Sequence, residues 1–164
     1  MAQEMLLFDM AETERPRSFH RAVAAAAAAR LKPVLERYAL PVRRPAGGVE
    51  KLFRIAGSLR RGRPEVQDVD VVAVIPSTPE DMLYPAENPW SRFQNEVKGE
   101  CDRVILWGPD HARFVMDGVP FDLYFTRPRA FAVALLLTTG SGRHNLRLGR
   151  QGFWECASTS GATS

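Results

Sequence analysis

Residues Arg54 to Ile75 read RIAGSLRRGRPEVQDVDVVAVI, and this stretch decides the fold. Its last part, Asp68 to Ile75, opens with polar–apolar alternation, the pattern of a half-buried β-strand. Side chains alternate between the faces of a strand, so Asp68 and Asp70 leave the same face. Two carboxylates held side by side repel each other unless a cation lies between them. Mg²⁺ suits such a pair, because it takes hard oxygen ligands and keeps room for water and substrate phosphates. The simpler reading of the same residues is a solvated strand face that protects a sheet edge.

Upstream, Gly57-Ser58 ends a short apolar run and supplies what a phosphate needs. Glycine lets the backbone approach closely, a serine hydroxyl donates, and a following helix start would aim N–H groups at an anion. Arg60 and Arg61 come next, with guanidinium forks that match phosphate oxygens. Arg60 reads as solvent-facing, whereas Arg61 belongs with the cradle. A phosphate cradle followed closely by a carboxylate pair points to a nucleoside triphosphate with its metal.

The pattern G-S-x-R-R-G, then five residues, then D-x-D resembles the palm motif of the family X, polymerase β-like nucleotidyltransferases. The similarity extends over about Ala22 to Arg150. It implies an α+β palm, a mixed β-sheet with helices packed on one face. It also implies transfer of (d)NMP from (d)NTP to a nucleic-acid 3′-hydroxyl, with two Mg²⁺ ions (Mn²⁺ able to substitute) and release of pyrophosphate. DNA, as primer–template or gapped duplex, is the expected partner, and DNA repair the expected setting. By resemblance Asp68 and Asp70 bind both ions, and Asp122 binds the catalytic one near the attacking hydroxyl. Gly57, Ser58 and Arg61 then hold the β- and γ-phosphates. Gln67 stands where the family usually has glycine, and its backbone N–H is the group that would reach a phosphate. The segment FAVALLLTTGSGRHN from Phe131 resembles the family's Y-F-T-G-S stretch with its nearby asparagine. Thr139, Gly140 and Ser141 would form the turn beneath the incoming sugar, and Asn145 would meet the base edge. A helix C-cap at Gly140 accounts for the same turn. Leu137-Thr138 replaces the family's Tyr-Phe pair. Two other readings stay open: a non-templated transferase acting on RNA, protein or a small molecule, and a palm that binds nucleotide without turnover.

Composition bounds the rest. The chain has 164 residues, 45% hydrophobic and 25% charged, enough for one well-packed domain. A net charge of +3 suits an anionic partner without demanding one. Cys101 and Cys156 form no ligand or redox pattern, and His20, His111 and His144 lack metal-ligand spacing. No run is long enough for a membrane span, and the acidic N-terminus is unlike a signal peptide. A soluble, intracellular protein with no evident protein partner is the expectation.

Along the chain, residues 1–17 read as loosely ordered, with Met5 to Phe8 able to pack on the domain. Ser18 reads as an N-cap for a helix over Phe19 to Lys32, which Pro33 would kink or interrupt. The palm domain is expected over 18–150 and a disordered tail over 151–164. Lys51 to Ala56 reads as a strand, Arg60 to Val66 as a turn or short helix, and Pro76 to Trp90 as a loop. Ser91 to Gly99 reads as a helix, with Phe93 and Val97 on one face. Val104 to Trp107 reads as a strand, and Asp117-Gly118 as the turn of a hairpin between Ala112–Met116 and Val119–Thr126. Asp122 lies between aromatic core positions, so it needs solvent or a cationic partner. Should this arm lie beside the Asp68–Ile75 strand, Asp122 becomes the third carboxylate. Helices are expected over Arg129 to Leu137 and Arg143 to Arg150.

Overall fold

The computed structural model describes residues 17–76, 88–141 and 144–147. It begins with a two-residue strand β1 (Phe19–His20), helix α1 (Arg21–Tyr38), the hairpin β2 (Pro41–Arg43) and β3 (Val49–Lys51), and strand β4 (Phe53–Ile55). Helix α2 (Gly57–Arg60), β5 (Glu65–Val66) and β6 (Val69–Ala73) follow. Then come α3 (Pro89–Glu100), β7 (Arg103–Trp107), β8 (His111–Met116), β9 (Val119–Phe125), a 3₁₀ turn (Pro128–Ala130) and α4 (Phe131–Thr139). The main sheet has five strands in the order β4-β6-β9-β8-β7. Only β6 and β9 run parallel in it, which makes the sheet mixed. Two small ribbons, β1–β5 and β2–β3, stand apart from it.

Alternation along the central strands builds the core. Val69, Val71 and Ala73 of β6 and Phe121 and Leu123 of β9 are all buried on one face. On α1 the buried residues Ala24, Ala27, Ala28, Leu31, Val34 and Leu35 recur at helical spacing. Its alanines bring the helix backbone close to the sheet. Asn88 caps α3 by accepting from the Ser91 backbone N–H at 2.6 Å, and Phe93 and Val97 face inward as expected. Trp90, Phe93, Trp107 and Phe125 form an aromatic cluster, closest at 4.5 Å between the edge-on rings of Trp90 and Phe125.

The two-residue turn at Asp117-Gly118 joins β8 to β9, with positive φ at both residues. Helix α4 lies against β6 and α2. Edge strand β7 carries a bulge between Val104 and Leu106, a common way to blunt a free edge.

Local boundaries differ from expectation for identifiable reasons. Helix α1 continues unbroken through Pro33 to Tyr38. Pro33 and Ala29 both lie on the exposed side, so the Ala29 carbonyl that proline leaves unpaired is solvated. The cap is His20, whose Nδ1 accepts from the Ala22 N–H at 3.3 Å, while Ser18 Oγ donates to Glu65 at 3.0 Å. The expected strand over 51–56 is β3 and β4 with a break at Leu52, whose N–H donates to the Leu40 carbonyl at 2.9 Å. The short helix starts at Gly57, ahead of the expected position, and only 144–147 of the last helix is described. The readings for Met5 to Phe8, most of the Pro76–Trp90 loop and the tail lie outside the described residues.

Because Pro33 costs α1 a hydrogen bond without ending it, Pro33→Ala should raise stability by about 1 kcal/mol or more. Urea unfolding of the pair measures this; an unchanged or lowered midpoint would mean that Pro33 contributes packing instead.

Candidate active site

Asp70 lies at the second position of β6, and its Cα partner across the parallel pair is Asp122. Partners on adjacent strands project from the same face, and Asp68, two positions before Asp70, follows them. Asp68 and Asp70 are half-buried, and Asp122 is only 5% exposed. Three carboxylates therefore gather at one end of the sheet, on the face away from α1.

Their charges crowd each other. Burial, then the Asp68 and Asp122 carboxylates, push Asp70 up to about 7, with Arg61 and Arg113 pulling partly back. Asp68 is likewise raised, by burial and by Asp122, against Arg113. Tyr124 of β9 is pushed up to about 12 by burial and the same three carboxylates.

Asp122 is held from β8. His111 Nε2 lies 2.8 Å from its Oδ1, and Arg113 Nη2 lies 3.8 Å from its Oδ2. Arg113 is the cross-strand partner of Asp122, and the His111 ring stacks on Tyr124 with centroids 4.9 Å apart. The sequence reading did not foresee either residue. The signal was present, since counting outward from the Asp117-Gly118 turn sets Arg113 opposite Asp122.

Beside the carboxylates opens a cleft of about 490 Å³. Gly57, Ser58, Arg61, Gln67, Asp68 and Asp70 line one side, and Gly140 and Ser141, just beyond α4, line the other. Gly57 has φ +57°, and a Cβ there would lie 1.8 Å from Asp70 Oδ2. Both the conformation and the contact demand glycine. Thr139 contributes its carbonyl, which accepts from the Arg61 guanidinium and ties the two sides together. Asn145 Nδ2 donates to the Leu137 carbonyl at 2.7 Å, and its Oδ1 packs so tightly on Gly140 that a Cβ there would lie 2.2 Å away. Asn145 Oδ1 and Thr139 Oγ1 are buried without hydrogen-bond partners among the described residues. Ser18, Arg63, Glu65, Val66 and Thr138 also line the cleft, beyond the residues read from the motif.

The donor set suits a hard divalent cation: carboxylate oxygens alone, in an environment that already disfavours their negative charge. Among the described residues, however, no three acidic, histidine or cysteine side chains are gathered closely enough to hold an ion as they stand. Asp122 is engaged by His111, and Asp70 Oδ2 rests against Gly57. The imidazole engages only Oδ1 of Asp122, and Oδ2 faces Arg113 at 3.8 Å.

No family model matches the chain, and no curated protein sequence does. Among solved structures it is similar to Leishmania infantum polymerase beta. In the ternary P/T complex of that protein the TM-score is 0.58 at 16% identity, covering 79% of this chain and 51% of the other. In the ternary gap complex the TM-score is 0.56 at 18% identity, covering 79% and 45%. The chain spans about half the length of these polymerase chains. The likeness establishes the fold, an α+β palm of the polymerase β type. No helix among the described residues is long and apolar enough to cross a membrane.

The raised Asp70 gives a pH test. Its folded-state pKa of about 7 exceeds the ordinary carboxylate value of 3.8, so the folded chain holds a proton that the unfolded chain has released between those values. Stability falls as pH rises through that window. In metal-free buffer, Asp70→Asn should therefore raise the melting temperature most at pH 8, with the gain shrinking steadily toward pH 4. A gain independent of pH would remove the electrostatic explanation.

Proposed function

We propose that this chain is a nucleotidyltransferase of the polymerase β type, adding (d)NMP from (d)NTP to the 3′-hydroxyl of DNA with release of pyrophosphate. One observation carries the reading: the parallel register sets Asp70 beside Asp122, next to a cleft that also holds Gly57, Ser58 and Arg61. The similarity to a DNA polymerase fold supports it.

In this reading Asp68, Asp70 and Asp122 hold two Mg²⁺ ions, with Mn²⁺ able to replace them. Bound divalent ions supply activation of the attacking hydroxyl and charge neutralisation on the leaving pyrophosphate. The chain's own groups do the positioning. Ser58 and Arg61 take the β- and γ-phosphates, and Gly57 keeps the approach clear of a side chain. The exposed Gln67 offers its backbone N–H to the same phosphates. Gly140 and Ser141 form the turn under the sugar. Thr139 belongs to the same turn, and Asn145, packed on Gly140, is the residue for the base edge. Asp122, once released by His111, stands beside the attacking hydroxyl to accept its proton.

Primer extension on gapped and blunt labelled duplexes, with Mg²⁺ and each nucleotide supplied separately, tests the proposal. Template-matched addition should appear, and Asp70→Ala should lower it at least about a hundredfold, the scale for losing one preorganised charge-stabilising group. Addition that ignores the template would move the assignment to a non-templated transferase. No addition to either duplex would sink the polymerase reading.

His111 gives a second test, independent of turnover. Since its imidazole competes for Asp122, His111→Ala should tighten Mn²⁺ binding about tenfold, the worth of one hydrogen bond to a charged group. Free Mn²⁺ measured by electron paramagnetic resonance reads this directly. Weaker binding in the variant would mean that His111 orients Asp122 for the ion.

A further inference from the structure

A second cavity, of about 910 Å³, opens on the other side of the sheet between α1, the β2–β3 hairpin, β4 and α2. It shares no lining residue with the carboxylate cleft. Its floor is apolar: Ala28, Leu31, Leu35 and Leu59 are buried, and Phe53 and Ile55 half-buried. Cavities of about 300–1,000 Å³ with an apolar lining and a few placed polar groups are the usual form of a small-molecule site.

The rim is cationic. Arg21 and Lys32 on α1, Arg44 and Lys51 on the hairpin, Arg54 on β4 and Arg60 on α2 surround the opening. Only Glu36 and Glu50 oppose these six, a local excess of four positive charges on a chain whose whole net charge is +3. Glu50 is already shared, accepting from Arg44 Nε at 2.6 Å and pairing with Arg54, while Lys32 pairs with Glu36 at 3.5 Å. Arg21 and Arg60 have no ion pair among the described residues; the Arg60 guanidinium reaches only the Ile55 carbonyl, at 3.5 Å. Arg54 is held below the ordinary arginine value by burial and then by repulsion from Arg44 and Arg60. Like charges crowded over an apolar concavity focus a positive potential that one anionic group relieves.

We propose that this cavity is a binding site for a small amphipathic organic anion. Its apolar or aromatic body rests on the floor between α1 and β4, and its acidic group meets the Arg44, Arg54 and Arg60 cluster. The proposal stands apart from the transferase reading, because it uses neither the carboxylates nor the Gly57-Ser58 turn.

The probe is 1-anilinonaphthalene-8-sulfonate, an aromatic body with one sulfonate, set against the neutral N-phenyl-1-naphthylamine. Fluorescence titration of the folded full chain should show one saturable site for the sulfonate, and binding of the neutral analogue about tenfold weaker or more. Arg60→Glu, at an exposed position, should weaken the sulfonate by at least about tenfold. Ala25→Trp, which fills the cavity from the exposed side of α1, should abolish the site, whereas Asp70→Asn should leave it unchanged. Cooperative thermal unfolding of each variant verifies that the dye reports a site on folded protein. Equal binding of the neutral analogue, or binding indifferent to both Arg60→Glu and Ala25→Trp, would overturn the proposal. Displacement of the dye by a single-stranded oligonucleotide would overturn it in favour of a nucleic-acid track.

Discussion

The parallel pairing of β6 with β9 is the constraint on which the rest of the molecule depends. Parallel neighbours need a crossover, and here α3, β7 and β8 provide it before the chain returns as β9. What fixes the register is burial on the far face. Val69, Val71, Ala73, Phe121 and Leu123 all enter the core, and the larger ones contribute about 1.5–3 kcal/mol each. A slip by one residue would turn that set to the carboxylate face and the aspartates into the core. A slip by two would preserve the faces but set Asp70 beside Pro120 or Tyr124. Apolar packing on one side of the sheet thus determines which carboxylates meet on the other.

That arrangement is costly to the folded chain alone. Burial and mutual repulsion raise Asp68 and Asp70, and Asp70 approaches neutral pH. Part of the cost is offset locally: His111 and Arg113 engage Asp122, and Arg61 lowers the pressure on Asp70. Arg61 spends its guanidinium on the Thr139 carbonyl, and Asp122 spends an oxygen on His111. A ligand that took up these groups would exchange internal partners for external ones, which would link its affinity to the strength of these contacts.

The features legible in sequence were those with a local cause. Asp68 and Asp70 alternate with valines, Asp117-Gly118 has the chemistry of a tight turn, and Phe93 and Val97 mark a helix face. What escaped needed the third dimension. Pro33 reads as a breaker unless its exposure is known. At Gly57 the sequence does not show the neighbour that also demands glycine: the atom nearest its missing Cβ belongs to Asp70. Nor does the sequence show that the Asn145 amide N–H donates to the Leu137 carbonyl of α4. His111 and Arg113 look like ordinary polar residues of a hairpin until β8 is registered against β9.

The sheet also separates two electrostatic environments of opposite need. On one side three carboxylates crowd one another; on the other, arginines outnumber acids around an apolar floor. In water at physiological salt such charges are screened within about 8 Å. A sheet with packed side chains is about as thick as that, so the two faces communicate more through the low-dielectric interior than through solvent. Arg54 stands at the boundary: its β4 neighbours Phe53 and Ile55 form the floor of the far cavity, while its own cross-strand partner is Val72 on the carboxylate side. The local imbalance around the α1 cavity is thus larger than the net charge of +3 suggests.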